Sequence, residues 1–139
     1  MNACVWLGAA LVAAAMPGAG APAAPRQAPA APDGRLLYAT HCASCHGSGG
    51  RGDGPMAEHL RVPPADLVSI AARNKGAFPT AVVERIVDGR QALKLHGSAM
   101  PVWGDAFSLS GTPAADQVAA AKIRAIVAYL ESIQKRPGE

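Results

Sequence analysis

Apolar residues recur at helical spacing along the chain, and no stretch alternates apolar and polar residues over a length useful for a strand. Thr112 is suited to cap the start of the last helix, and Pro113 to fill its first position. The stripe of that helix comprises Ile123, Ile126, Val127, Leu130 and Ile133. The pattern predicts an all-α domain of about four to five helices.

Shorter patterns place the other helices. Asp33 is a good N-cap for a first helix, and Pro79 opens another helix that Gly89 ends. A short helix capped by Asp66 is expected between them. Residues 47–54 hold five glycines and must form a loop. The stretch 95–107 shows no periodicity and is predicted to be irregular.

The N-terminal part of the chain differs in composition from the rest. Residues 1–24 contain an Ala/Leu/Val run shorter than the ~20 residues of a membrane span, which is typical of a signal peptide. No lysine or arginine precedes the run, and an uncleaved anchor is the alternative. Residues 25–32 predict a Pro/Ala linker, and residues 33–136 the folded domain. We therefore expect an exported, periplasmic protein.

The charge of the chain is mildly positive. Thirteen basic and ten acidic side chains give a net charge of +3, and we expect no nucleic-acid partner. Some basic side chains could steer acidic protein partners, although an ordinary solvated surface explains them equally well. They are Arg51, Arg61, Arg73, Lys75 and Lys94.

The sequence Cys42-Ala43-Ser44-Cys45-His46 carries the clearest chemistry. The spacing C-x-x-C-H is the attachment signature of a c-type haem. Residues three apart share a helical face, so Cys42 and Cys45 can bind one porphyrin. His46 then lies where an imidazole nitrogen can ligate the iron. The motif predicts one covalent haem c.

Other interpretations of the motif explain less. A structural zinc site needs four ligands, and the only further cysteine is Cys4, in the apolar leader. A thioredoxin-like pair would need a βαβ pattern, which is not apparent. A plain disulfide between Cys42 and Cys45 remains an alternative, but it leaves His46 unexplained.

Met100 is the predicted sixth ligand of the iron. It lies between a small residue and a proline, outside any helical stripe, and its thioether is a soft ligand for haem iron. His96 is a competitor four residues earlier, because imidazole also binds iron well. Met56 is too close in sequence to His46 to cross the ring plane easily, and we expect it to pack in the core.

These motifs, together with several other short segments, are similar to those of a known protein family. The chain resembles the monohaem class I c-type cytochromes over roughly residues 34–134. The segments that carry the resemblance are Gly34 and Tyr38, C-A-S-C-H-G, G-R-G-D-G-P at 50–55, P-P-A-D-L at 63–67, H-G-S-A-M-P-V-W-G at 96–104, and Ala-Tyr-Leu at 128–130.

The resemblance implies a small cytochrome c fold wrapped around one covalently bound haem, with its first and last helices crossing closely at Gly34. It implies that the Pro55 carbonyl accepts a hydrogen bond from the far nitrogen of His46. It also suggests that the Trp103 indole lies near a haem propionate. An ordinary turn proline and simple packing against the ring are the respective alternatives.

The predicted function is one-electron transfer in the periplasm, without catalysis. The expected partners are a donor dehydrogenase or cytochrome complex and an acceptor oxidase or reductase. Membrane contact is expected only through partners or an uncleaved leader. An alternative is a haem subunit or accessory of a periplasmic oxidoreductase or terminal oxidase. A third is a sensing haem protein with a labile sixth site. The predicted cofactor-binding residues are Cys42, Cys45, His46, Met100, Pro55 and Trp103.

Overall fold

A computed structural model describes residues 30–91 and 99–135 of the chain. In these two ranges the secondary structure is entirely helical, which confirms the predicted all-α class. The described residues form six α-helices rather than four to five, because two of the helices are only four residues long. The helices are α1 (Gly34–His41), α2 (Ala43–His46), α3 (Ile70–Arg73), α4 (Thr80–Asp88), α5 (Trp103–Phe107) and α6 (Pro113–Ser132), with a 3-10 turn at Ala57–His59.

Local sequence signals set several helix ends as predicted. The carboxylate of Asp33 accepts hydrogen bonds from the amides of Arg35 and Leu36, at 2.9 and 3.1 Å, and so caps α1. The Thr112 hydroxyl caps α6 in the same way, and Pro113 is its first residue. Gly89 ends α4 with φ 72°, a conformation that glycine adopts without strain.

Three local predictions were wrong. Asp66 does not cap a helix, since its carboxylate binds the Val68 amide and the Ser69 hydroxyl in a turn, and α3 begins only at Ile70. The stretch predicted to be irregular contains α5, which is too short to show a periodicity. Met56 is 46% exposed and does not pack in the core.

Helix α6 forms the centre of the molecule, packing against α1, α4 and α5. The buried core residues are Tyr38, Val83, Val87, Phe107, Ala119, Ile123, Ile126, Val127 and Leu130. Where α1 crosses α6, a Cβ atom on Gly34 would overlap the Ala125 carbonyl oxygen. The Tyr38 and Tyr129 rings meet beside this crossing, with centroids 5.2 Å apart. The expected close approach of the first and last helices is confirmed.

Candidate haem-binding site

The two cysteines of the motif lie on either side of a helix start. Cys42 separates α1 from α2, and its carbonyl accepts hydrogen bonds from the amides of Cys45 and His46, at 3.2 and 2.9 Å. This single turn holds the two sulfurs near each other. Both cysteines are half-buried free thiols in the structure. Burial and the nearby Cys45 raise the pKa of the Cys42 thiol to about 11, which reflects its apolar surroundings.

The glycine-rich loop after the motif packs directly on α2. The amides of Gly52 and Gly54 donate to the carbonyls of His46 and Cys45, at 2.9 and 3.1 Å, and the amide of Met56, just after the loop, donates to the Ser44 carbonyl at 2.9 Å. A Cβ atom on Gly54 would lie 2.5 Å from the Ser44 carbonyl oxygen, so only glycine allows this approach. The loop therefore fixes the backbone of the predicted attachment turn.

The imidazole of His46 is buried, and its Nδ1 lies 3.1 Å from the carbonyl oxygen of Ala65. A carbonyl can only accept, so Nδ1 carries the hydrogen and Nε2 keeps the lone pair that a metal ligand needs. The expected acceptor was Pro55. Pro55 is instead exposed and lies between Gly54 and Met56, whose amides bind the carbonyls of Cys45 and Ser44. The structure thus corrects the partner of Nδ1, and a role for Pro55 at the haem stays a prediction.

Two adjoining cavities, of about 240 and 180 Å³, lie beside the motif. Both are bordered by Cys42, His46, Ala65 and Met100, so these four residues stand where the cavities meet. Apolar side chains form most of the remaining wall. In the larger cavity they include Leu67, Ile70, Val83, Val87, Ile126 and Leu130, and in the smaller Leu60, Val62, Pro63, Pro64 and Pro101.

Met100 reaches these cavities from a separate part of the chain. It lies four residues before Gly104 in the sequence, is half-buried and packs against the core. The structure therefore brings Met100 to the same cavity walls as His46, although 54 positions separate them (100 − 46). The competing ligand His96 lies outside the described residues.

Trp103 borders the smaller cavity as part of an aromatic cluster. Its ring stacks on Phe107 at 5.2 Å and lies 5.3 Å from the ring of His41, which also borders the cavity. These contacts with Phe107 and His41 place Trp103 at the edge of the smaller cavity. The suggested contact of its indole with a haem propionate stays a prediction. The role of His41 in this cluster was not foreseen, because nothing in sequence links it to α5.

The residues around the cavities fit a c-type haem. An apolar hollow suits the porphyrin, two thiols on one turn suit thioether attachment, and an imidazole and a thioether suit the iron. The sequence did not reveal Ala65, because it acts through its backbone carbonyl and its side chain carries no chemical signal. In the described part of the chain, no helix is long and apolar enough to cross a membrane.

Comparison with known protein families agrees with this fit. Residues 31–134 match the family described as Cytochrome c. The matched range covers both described segments almost completely and includes every predicted haem-binding residue. Comparison with curated proteins and with solved structures gave no significant match.

Proposed function

Because this chain belongs to the cytochrome c family, we propose that it is a periplasmic one-electron carrier. One haem c would be attached through Cys42 and Cys45, and His46 and Met100 would bind its iron. The match to the Cytochrome c family supports electron transfer as the role of the bound haem.

A single observation supports this proposal most strongly. Cys42, His46 and Met100 border the same two cavities, and Cys45 lies one helical turn from Cys42. The residues for attachment and those that would bind the iron therefore surround one apolar hollow. When bound, the haem supplies an iron that cycles between Fe(III) and Fe(II).

His46 is prepared for the proximal role by its hydrogen bond. Donation from Nδ1 to the Ala65 carbonyl fixes the tautomer and restrains the ring. It also makes the imidazole a stronger electron donor through Nε2. Burial of His46 limits exchange of this ligand with water.

Met100 and the cavity wall act together on the reduction potential. A thioether is a soft, neutral ligand and favours Fe(II) over Fe(III). The apolar wall disfavours the additional positive charge of the oxidised site. Both effects raise the potential, as a carrier between a dehydrogenase and an oxidase requires.

The partners we propose are proteins with an acidic surface: a donor dehydrogenase or cytochrome complex and an acceptor oxidase or reductase. Four basic residues are exposed: Arg51, Arg61, Arg73 and Lys75. The Arg73 guanidinium also donates to the Asp66 carbonyl, at 2.7 Å. Arg61 lies between Leu60 and Val62, which border the smaller cavity. Its charge is therefore well placed to guide a partner to this cavity.

Covalent attachment tests the proposal. The haem should remain with the polypeptide in denaturing electrophoresis, and replacing both Cys42 and Cys45 by alanine should abolish haem peroxidase staining. Cys4→Ala is the matched control and should stain normally. Staining that is lost on denaturation of the unaltered protein would refute covalent attachment. Co-purification with a catalytic subunit in high salt would instead favour the subunit alternative.

A further inference from the structure

Arg90 makes the most extensive ion-pair network in the described residues. Its Nε and Nη2 donate to the two carboxylate oxygens of Asp88, at 2.9 and 2.8 Å. Its Nη1 donates to Asp116 on the first turn of α6, at 2.7 Å. The guanidinium thus joins the end of α4 to α6. Hydrogen bonds from Arg90 also hold the pKa of the Asp88 carboxyl below its usual range.

The backbone that follows Met100 rests on this network. Gly104 is buried against it, because a Cβ atom there would lie 2.7 Å from the Asp88 carboxylate and would overlap Nε of Arg90. Two residues earlier, Val102 packs on Gly89, where a Cβ atom would lie 3.3 Å from the Val102 Cα. The backbone is therefore held by contacts at Val102 and Gly104, two and four residues after Met100.

We propose that Arg90 is a positioning residue that fixes the backbone carrying Met100 and so limits dissociation of the thioether from the iron. The inference rests on the proposed function, in which Met100 is the sixth ligand. Arg90 touches neither of the two cavities beside the motif, and it acts only through Gly104 and α6.

The physical reason lies in the geometry of the guanidinium. Its planar fork binds Asp88 with two parallel bonds and still has a third nitrogen for Asp116. Lysine has one nitrogen and cannot reproduce this arrangement. Without Arg90, the carboxylates of Asp88 and Asp116 have no cation between them, and Gly104 loses its contact with the guanidinium that links α4 to α6.

The test measures carbon monoxide binding to the ferrous holoprotein. Carbon monoxide can bind only when the sixth ligand has left, so its slow binding rate reports how often Met100 dissociates. In Arg90→Gln this rate should rise about threefold to tenfold. The weak far-red band of sulfur-ligated ferric iron should remain at neutral pH and disappear at a lower alkaline pH than in the unaltered protein.

Arg124→Gln is the matched control. Arg124 borders the same surface hollow as Arg90, and the substitution removes the same charge. Arg124 makes no ion pair among the described residues, so the carbon monoxide binding rate of Arg124→Gln should equal that of the unaltered protein. Arg90→Lys should give an intermediate rate. Asp116→Asn, which keeps the bonds to Asp88, should raise the rate less than Arg90→Gln.

Equal carbon monoxide rates in Arg90→Gln, Arg124→Gln and the unaltered protein, with the far-red band intact, would overturn the positioning role but not Met100 ligation. A missing far-red band in the unaltered protein would overturn both. If Arg90→Gln does not fold, Arg90→Lys and Asp116→Asn decide between the same outcomes.

Discussion

The hydroxyl of Tyr38 donates a 2.6 Å hydrogen bond to the backbone carbonyl of Gly47, the residue that follows His46. Tyr38 is 1% exposed, so the bond is shielded from water. It joins the core side of α1 to the end of the attachment turn. Helix packing and the orientation of the proximal ligand are therefore coupled through one side chain.

Removing this hydroxyl should destabilise the holoprotein. Tyr38→Phe leaves the Gly47 carbonyl without its donor, and the expected loss is about 1–2 kcal/mol in the free energy of unfolding. Tyr129→Phe is the control, because Tyr129 is only half-buried at the same crossing. Denaturant unfolding followed by circular dichroism measures both. An equal loss in the two variants would contradict a special role for the bond.

Because of this same hydroxyl, we expect the free energy of unfolding to depend on pH in the alkaline range. Burial raises the pKa of Tyr38 to about 12, compared with 10.0 for a free tyrosine. Below pH 10 the Tyr38 hydroxyl makes its full contribution to the free energy of unfolding, because it is then protonated in both the folded and the unfolded chain. Between pH 10 and 12 only the unfolded chain releases the proton, so stability falls by about 1.4 kcal/mol per pH unit. The stability difference from Tyr38→Phe should shrink over this window.

The α1–α6 crossing should not tolerate a methyl group. Gly34→Ala should cost about 1–3 kcal/mol, since the new Cβ overlaps the Ala125 carbonyl and the helices must separate. Gly49→Ala is the matched control, because a Cβ atom there has only the Arg51 side chain nearby, at 3.8 Å. Its melting temperature should stay close to that of the unaltered protein. A similar melting temperature for Gly34→Ala would show that the crossing is loose.

Local chemistry explains which parts of the fold were predictable. Asp33, Thr112 and Gly89 act on amides or backbone angles of their immediate neighbours, so their roles can be inferred from a few residues. Asp66 shows the limit, because the same carboxylate can cap a helix or a turn. The helix α5 was missed because five residues form little more than one turn.

The residues of the site can likewise be divided into those that were predictable from the sequence and those that were not. The attachment residues and Met100 could be proposed from the sequence, because their chemistry lies in side chains within recognisable motifs. The Ala65 carbonyl could not, since every residue has one and only the fold selects which one meets His46. The bond from Arg90 to Asp116 spans 26 positions and exists only after α4 has packed on α6.

Export is a separate prediction. If residues 1–24 are a signal peptide, the mature protein should begin between Gly18 and Gln27 and be recovered from the periplasmic fraction. N-terminal sequencing of the purified holoprotein identifies the first residue. Recovery of a chain that begins at Met1 from the membrane fraction would favour the uncleaved anchor.

The proposed electron transfer depends on ligation of the iron by Met100, which the far-red absorption band of the ferric protein reports. The unaltered protein should show the band at neutral pH and bind carbon monoxide slowly. Met100→Ala should lose the band, lower the midpoint potential and bind carbon monoxide quickly, whereas His96→Ala should keep the band. A band that is absent from the unaltered protein, or that survives Met100→Ala, would show that Met100 is not the sixth ligand.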